Sequence, residues 1–307
     1  MFSSILFLIL GFVLLIYGAH ILVEGATALA RKFDIPEIVI GLTVVACGTS
    51  APEVAVSISS VITGNAAVGI GNILGSNIVN LLAILGISAL ISNLHVKKNT
   101  ILYEIPFLGF VSVLLMFLGW RYSVIGRPEA LVLFGLFMVF FVYLYIVSKK
   151  HKTENLEIEQ MSLLKMVIFI ILGIIALIFG ARFTVDSAID IARFLHVSER
   201  IIGLTVIAFG TSLPELATCV SAALKRRSGI VIGNIVGSNL FNILFVLGTA
   251  GLVQSMHFER AFLFDATLGI VATILLWLFV FNDKKFNKID GIIFLVIYVL
   301  YMILLMK

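Results

Sequence analysis

Charge is what this sequence has least of. Asp, Glu, Lys and Arg make up 12% of its 307 residues, about half the share usual in a soluble domain. Apolar side chains make up 61%, and the mean hydropathy is +1.18. A water-soluble fold of this length cannot bury so much apolar surface with so little charge to cover it. A disordered chain is excluded for the same reason. Cysteine is scarce too: Cys47 and Cys219 stand apart inside apolar runs, with no CxxC pair and no disulfide framework. The net charge of +4 is spread over many loops, which excludes a nucleic-acid surface. No HExxH, no paired catalytic Asp and no Ser/His pair occurs in the apolar segments, so an enzyme reading and a cofactor both fall away. An all-α polytopic membrane protein is what remains, with lipid as its surroundings and no obligatory protein partner evident.

A spanning helix takes about 20 residues. Apolar runs bounded by charges and turn residues predict ten spans, over 3–30, 38–61, 66–91, 101–119, 126–148, 163–192, 200–223, 229–253, 260–281 and 288–306. The first run lacks a basic n-region and is too long for a signal peptide, so it reads as a span. The second, third, seventh and eighth contain Gly, Asn, Ser or Pro and read as interrupted helices. The only long polar linker, 149–162, lies at the midpoint and divides the chain into 1–148 and 163–307. The loops after odd-numbered spans hold 14 Lys and Arg and the opposite side 6. The positive-inside rule then places the linker in the cytoplasm and both termini outside, in a plasma or inner membrane.

The two halves repeat each other at an offset of 162 residues. Segment 38–86 aligns with 200–248 without a gap, with 24 identities in 49 positions. The offset covers five spans, an odd number, so the halves are expected to cross the membrane in opposite directions. Ten helices as two inverted-topology five-helix repeats is the fold this implies, an architecture common among secondary transporters.

Each repeat carries a Gly-Thr-Ser-x-Pro-Glu block: Gly48, Thr49, Ser50, Pro52, Glu53, and Gly210, Thr211, Ser212, Pro214, Glu215. Proline removes an N–H and breaks the helical ladder. Carbonyls around Ala46, Thr49, Ala208 and Thr211 are therefore expected to lack helical partners and to face a cavity, as hard oxygen ligands. A carboxylate at mid-membrane is costly, and two at matched positions repel each other unless a cation sits between them or one is protonated. The second block is Gly71, Asn72, Gly75, Ser76, Asn77, Asn80, repeated as Gly233, Asn234, Gly237, Ser238, Asn239, Asn242. The four-residue spacing puts Ser76 with Asn80, and Ser238 with Asn242, on one helix face. Asn80 and Asn242 read as ligands. Asn72, Asn77, Asn234 and Asn239 read equally as ligands and as interhelical hydrogen-bonders. Imidazole and thiolate ligands are absent from these blocks, so the chemistry is that of Ca²⁺, Na⁺ or H⁺, or of Mg²⁺, and not of zinc or copper. Glu24 and Asp186 read as structural partners of Arg31 or Arg182, Glu104 and Asp265 as helix-end residues, and both cysteines as packing.

On these two blocks the sequence resembles the cation/calcium antiporter superfamily, in particular the prokaryotic sodium/calcium exchanger type. The resemblance covers essentially the whole chain. It implies alternating access around a diamond of four ion sites, and antiport of Na⁺ and Ca²⁺ as the transported ions. Carried over by position, it makes Glu53 and Glu215 the calcium ligands, with the carbonyls of Thr49 and Thr211. Ser50, Ser76 and Ala46 would line one sodium site, Ser212, Ser238 and Ala208 the other, and Asn80 and Asn242 would complete the centre. Several such exchangers carry Asp at the position of Asn242. If that Asp works protonated, Asn mimics it; if its charge serves sodium, sodium coupling changes. Spans 1 and 6, long and glycine-bearing, are expected to slide against the other eight. A Ca²⁺/H⁺ or other cation antiporter on the same scaffold is the alternative within the class, and a passive cation channel the alternative outside it.

Overall fold

The computed structural model describes residues 2–150, 161–195 and 208–305. Most of the linker and the first third of the expected seventh span, 200–207, lie outside these residues. The helices are α1 (Ser3–Lys32), α2 (Glu37–Thr49), α3 (Ala51–Ile62), α4 (Ala66–Ile91), α5 (Thr100–Tyr122), α6 (Arg127–Lys149), α7 (Leu163–Phe194), the turn α8 (Ala208–Gly210), α9 (Leu213–Leu224), α10 (Ser228–Val253), α11 (Phe262–Asp283) and α12 (Lys288–Leu305). Among the described residues eight are long and apolar enough to cross a membrane, and α2 with α3 makes a ninth if that pair, bent by 49°, is one span. The chain is a multi-pass helical membrane protein. Its boundaries fall within about three residues of those expected from hydropathy.

The third and eighth spans are not interrupted. Each is a continuous helix with a π-helical turn, Val79–Ile84 in α4 and Asn242–Val246 in α10. A π-turn accommodates one extra residue without breaking the helix. Polar side chains that suggested a break are instead presented from an intact helix. A second departure from the purely helical expectation is a set of four two-residue strands: β1 (Leu94–His95) pairs with β4 (Lys285–Phe286), and β2 (Val124–Ile125) with β3 (Met256–His257), both antiparallel. Leu94 and Met256, 162 positions apart, are both fully buried under these pairs.

Burial separates centre from rim. The most apolar windows of α4 and α10 are 83% and 89% buried, whereas those of α1, α6 and α7 are 28% buried. The exposed apolar faces of the rim helices suit lipid. α1 and α7 pack along each other through glycines at matched positions. A Cβ on Gly11 would lie 2.9 Å from the Gly180 carbonyl, and one on Gly173 2.9 Å from that of Gly18. Backbones come this close only where side chains are missing.

Candidate functional site

The site forms where the two Gly-Thr-Ser-x-Pro-Glu blocks meet α4 and α10. α2 ends at Ser50 (φ −81°, ψ 13°), and the same turn stands at Ser212 (φ −87°, ψ 6°). Pro52 and Pro214 occupy the opening turn of the next helix, where a missing N–H costs nothing. Glu53 and Glu215 then fall in that first turn, near the positive end of the helix dipole. The carbonyl deprived by each proline is the one four residues earlier, at Gly48 and Gly210. The Ala46 carbonyl is not bare, contrary to the sequence expectation. It accepts from the Ser50 N–H (3.0 Å), and the Thr49 hydroxyl stands 3.3 Å from it. Ala208 begins the helical turn before Thr211.

The polar side chains form a network with two matching arms. Thr49 donates to Asn234 Oδ1 (3.1 Å), and the Asn234 amide donates to Cys219 Sγ (3.3 Å). In the mirrored arm Thr211 donates to Asn72 Oδ1 (3.3 Å), and the Asn72 amide donates to Ser57 Oγ (3.4 Å). Residues 57 and 219 are 162 apart, so Cys219 answers Ser57. The packing role expected for Cys219 is therefore incomplete, because its sulfur also accepts a hydrogen bond. No sequence signal marks this, since the two positions hold different residue types. Between the arms lies a ring of asparagines. The Asn77 and Asn239 amides each donate to the other's backbone carbonyl (both 3.4 Å). The Asn80 amide donates to Asn239 Oδ1 (3.3 Å) and the Asn242 amide to Asn77 Oδ1 (3.1 Å). Asn72, Asn77, Asn234 and Asn239 thus all serve as interhelical hydrogen-bonders.

Each amide of this ring donates one hydrogen bond to a protein acceptor. Both oxygens of Glu53, Oε2 of Glu215, the amide oxygens of Asn80 and Asn242, and the Ser212 hydroxyl are left buried without a partner. Glu53, Glu215, Ser50, Ser212, Ser238, Asn80, Asn242 and Thr49 are fully buried. Glu53 lies close enough to Glu215 to feel its charge. Ser76 and Thr211 flank Glu53, while Ser50, Thr49 and Ser238 flank Glu215. A buried carboxylate without a donor is strongly unfavourable on its own, and a concentration of bare oxygens is the surrounding a hard cation needs. The described residues contain no group of three or more His, Cys, Asp or Glu side chains that could hold a metal. The donors here are two carboxylates supplemented by neutral oxygens.

The two arms differ in exposure. Asn234, Thr49 and Cys219 are buried, whereas Asn72 and Thr211 are half-buried. The other intramembrane charges stand apart from the site: Glu24 pairs with His20 (3.7 Å) and Asp186 with Arg182 (3.7 Å). The pairing at Asp186 matches expectation; at Glu24 the partner is His20, one helical turn away, and not Arg31.

Known proteins resemble this chain over most of its length. The chain is 36% identical over 284 residues, 88% of its length and 87% of the relative's, to the inner membrane protein YrbG of Escherichia coli. It is 30% identical to the sodium/calcium exchanger MaX1 of Methanosarcina acetivorans, over 98% of both chains. A solved structure of the sodium-calcium exchanger NCX_Mj superposes with a TM-score of 0.85 and 32% identity, over 97% of each chain. The family model described as sodium/calcium exchanger protein matches residues 3–146 and 165–307. With both halves matched and the polar network repeated between them, the chain belongs to the sodium/calcium exchanger protein family, and is a transporter, not an enzyme.

Proposed function

We propose that the protein exchanges Na⁺ for Ca²⁺ across its membrane by alternating access, expelling calcium at the expense of the sodium gradient. The observation that carries this reading is the set of bare buried oxygens around Glu53 and Glu215. Two carboxylates balance one Ca²⁺, and the neutral oxygens complete its shell. Ca²⁺ would sit between Glu53 and Glu215 with the carbonyls of Thr49 and Thr211. Na⁺ would occupy one flanking site at Ser50 and Ser76, beside the Ala46 carbonyl that Ser50 already engages, and a second at Ser212, Ser238 and Ala208. Asn80 and Asn242 would offer their free oxygens to the centre. Because the carboxylates are shared, Ca²⁺ and Na⁺ compete, and that competition enforces exchange.

In this reading the chain folds as ten spans in two inverted five-helix repeats, 1–148 and 163–307, joined by the linker 149–162. Both termini lie outside a plasma or inner membrane, and the linker lies in the cytoplasm. Two observations support it. The β1–β4 pair joins the loop after the third span to the loop after the ninth, and the β2–β3 pair joins the loops after the fourth and eighth. Odd-numbered loops meet odd-numbered loops and even meet even, as alternating spans require. The half-buried arm at Asn72 and Thr211 then faces outward.

Asn242 fits the neutral reading of that position. Its amide donates to Asn77 Oδ1 (3.1 Å). Only a protonated carboxyl could make the same bond. An outward Na⁺ gradient imposed on vesicles holding the purified protein should drive ⁴⁵Ca²⁺ uptake. Uptake driven only by a pH gradient would indicate proton coupling, and uptake with no counter-ion a channel.

A further inference from the structure

The two short ribbons share a backbone and differ in charge. Lys284 (φ 53°) and Ser123 (φ 54°) are the matching left-handed residues that end α11 and α5. Beyond them the Asn287 N–H donates to Asp290 (2.8 Å), and the Gly126 N–H to Glu129 (3.0 Å). Leu94, Val96 and Phe286 are buried under the β1–β4 ribbon, and Met256, Phe258 and Ile125 under β2–β3. The outward faces are unlike. Lys97, Lys98, Lys284, Lys285 and Lys288 lie on or beside β1–β4, all exposed, with exposed His95 directly opposite Lys285. The matching places around β2–β3 hold Glu259, Arg260, Ser123, Val124 and Arg127, and Val124 stands opposite His257. The repeat therefore does not account for the lysines.

The Val96 N–H donates to the Lys284 carbonyl (2.8 Å), which brings Lys97 and Lys98 alongside Lys284 and Lys285. Like charges on adjoining strands repel, and a two-stranded ribbon is marginal by itself. Among the described residues no carboxylate forms an ion pair with any of the five lysines. Asp283 is exposed beside Lys284 without such a pair, and Asp290 is engaged by the Asn287 N–H. The face thus lacks a counter-charge, and its setting says where one comes from. Phe281 of α11 and Ile289 and Ile292 of α12 are exposed apolar side chains within about one helical turn of Lys284 and Lys288. The lysines therefore border the lipid-facing surface, at the level where phosphate headgroups lie. We infer that the β1–β4 ribbon binds the headgroup of an anionic phospholipid, its phosphate held between Lys97 and Lys98 of one loop and Lys284, Lys285 and Lys288 of the other. The bound lipid screens the lysines from one another and fastens a ribbon that joins the first half of the chain to the second. This holds independently of the ion site and of which membrane face the ribbon occupies.

Native mass spectrometry and thermal melting of the full chain in neutral detergent test this, with phosphatidylglycerol and phosphatidylcholine of the same acyl chains as probes. At roughly fivefold per lysine, the wild type should bind phosphatidylglycerol at least about tenfold tighter than phosphatidylcholine. Only phosphatidylglycerol should raise the melting temperature. Lys97→Gln with Lys98→Gln, and Lys284→Gln with Lys285→Gln, should each bring the binding ratio close to one. Without lipid, each pair should melt no lower than the wild type, because repulsion is relieved. Arg127→Gln with Arg260→Gln, at the other ribbon, should leave the ratio unchanged. Equal binding of the two lipids by the wild type, an unchanged ratio in either lysine pair, or an equal loss in the arginine pair would each overturn the proposal. So would a matching rise in melting temperature with inorganic phosphate alone, which would make the ligand a free anion and not a lipid.

Discussion

The two halves carry nearly the same chemistry in different surroundings. α9 has Pro214 buried and Ala217 and Ser221 half-buried, whereas at the matching places on α3 Pro52 is half-buried and Ala55 and Ser59 are exposed. α1 packs along α9, and α7 makes no comparable contact with α3. At the site, Glu215 Oε1 accepts from Ser50 (2.8 Å) and Ser238 (3.4 Å), while Glu53 has Ser76 and Thr211 beside it only at longer range. Two copies of one motif would sit alike in a symmetric molecule. The difference leaves the α9 arm more enclosed than the α3 arm. In the proposed alternating cycle the two halves exchange these surroundings, and the glycine-lined α1–α7 pair is the element expected to shift.

The largest effect should come from the carboxylates. Glu53→Gln and Glu215→Gln should each reduce ⁴⁵Ca²⁺ transport by about a hundredfold or more, since each leaves a divalent ion facing a single buried charge. The halves should part in stability. Glu215→Gln disturbs two hydrogen bonds at about 1 kcal/mol each and should lower the melting temperature by a few degrees. Glu53→Gln loosens only the longer contacts with Ser76 and Thr211 and relieves the repulsion from Glu215, so its melting temperature should fall less or hold. Equal destabilisation would erase the distinction between the halves.

A smaller effect is expected where α1 meets α9. Lys225 Nζ, at the end of α9, donates to the His20 carbonyl of α1 at 3.0 Å, and Glu24 of α1 lies near it. The matching position in the first half is Thr63, which reaches only its own helix at Ser59 and Ser60. Lys225→Met should weaken this hold on the more enclosed side, shifting labelling of a cysteine placed at Ser59 by about threefold to tenfold, in line with one charge-assisted bond. Burial, the largest influence, lowers the Lys225 pKa, and Glu24 opposes it. With a folded value below the unfolded one, the half-buried charge costs stability at low pH. That cost is relieved as pH rises through the folded value, while the bond to His20 loses its charge. Raising pH should therefore move wild-type labelling toward that of Lys225→Met.

Much of this was legible in the sequence because hydropathy and repetition act over many residues. The span ends were read within a few positions, and Glu53, Glu215 and the asparagine pairs stood out as polar groups that lipid would not tolerate. Other features were not legible for specific reasons. The π-turns at Val79–Ile84 and Asn242–Val246 replace breaks without changing composition. The Ala46 carbonyl is recaptured by Ser50, a bond that a proline-based argument does not anticipate. The difference between the halves is invisible in principle, because matching motifs yield the same reading twice.

Asn242→Asp sharpens the comparison at intermediate size. An ionised Asp would set a carboxylate against Asn77 Oδ1, where the amide now donates at 3.1 Å. Asn80→Asp would do the same against Asn239 Oδ1. Each variant should transport best at a pH low enough to keep the new carboxyl protonated, losing severalfold as pH rises. A pH-independent rate in both would show that the amide donors are dispensable.

The smallest effect is the one most diagnostic of symmetry. Cys219 and Ser57 occupy the same place in the two arms, each accepting from an asparagine amide, at 3.3 Å and 3.4 Å. A hydroxyl accepts a hydrogen bond at least as well as a thiol and differs little in volume, so neither exchange opens a large cavity. Cys219→Ser, Ser57→Cys and the double swap should all leave ⁴⁵Ca²⁺ transport within about twofold, the range of surface-like substitutions. The Asn234 and Asn72 amides would keep an acceptor in every case, and with them the oxygens that face Thr49 and Thr211. A tenfold loss at Cys219 with none at Ser57 would mean that the thiol serves the second half in a way its first-half counterpart does not. The two arms would then be alike in geometry and unlike in chemistry.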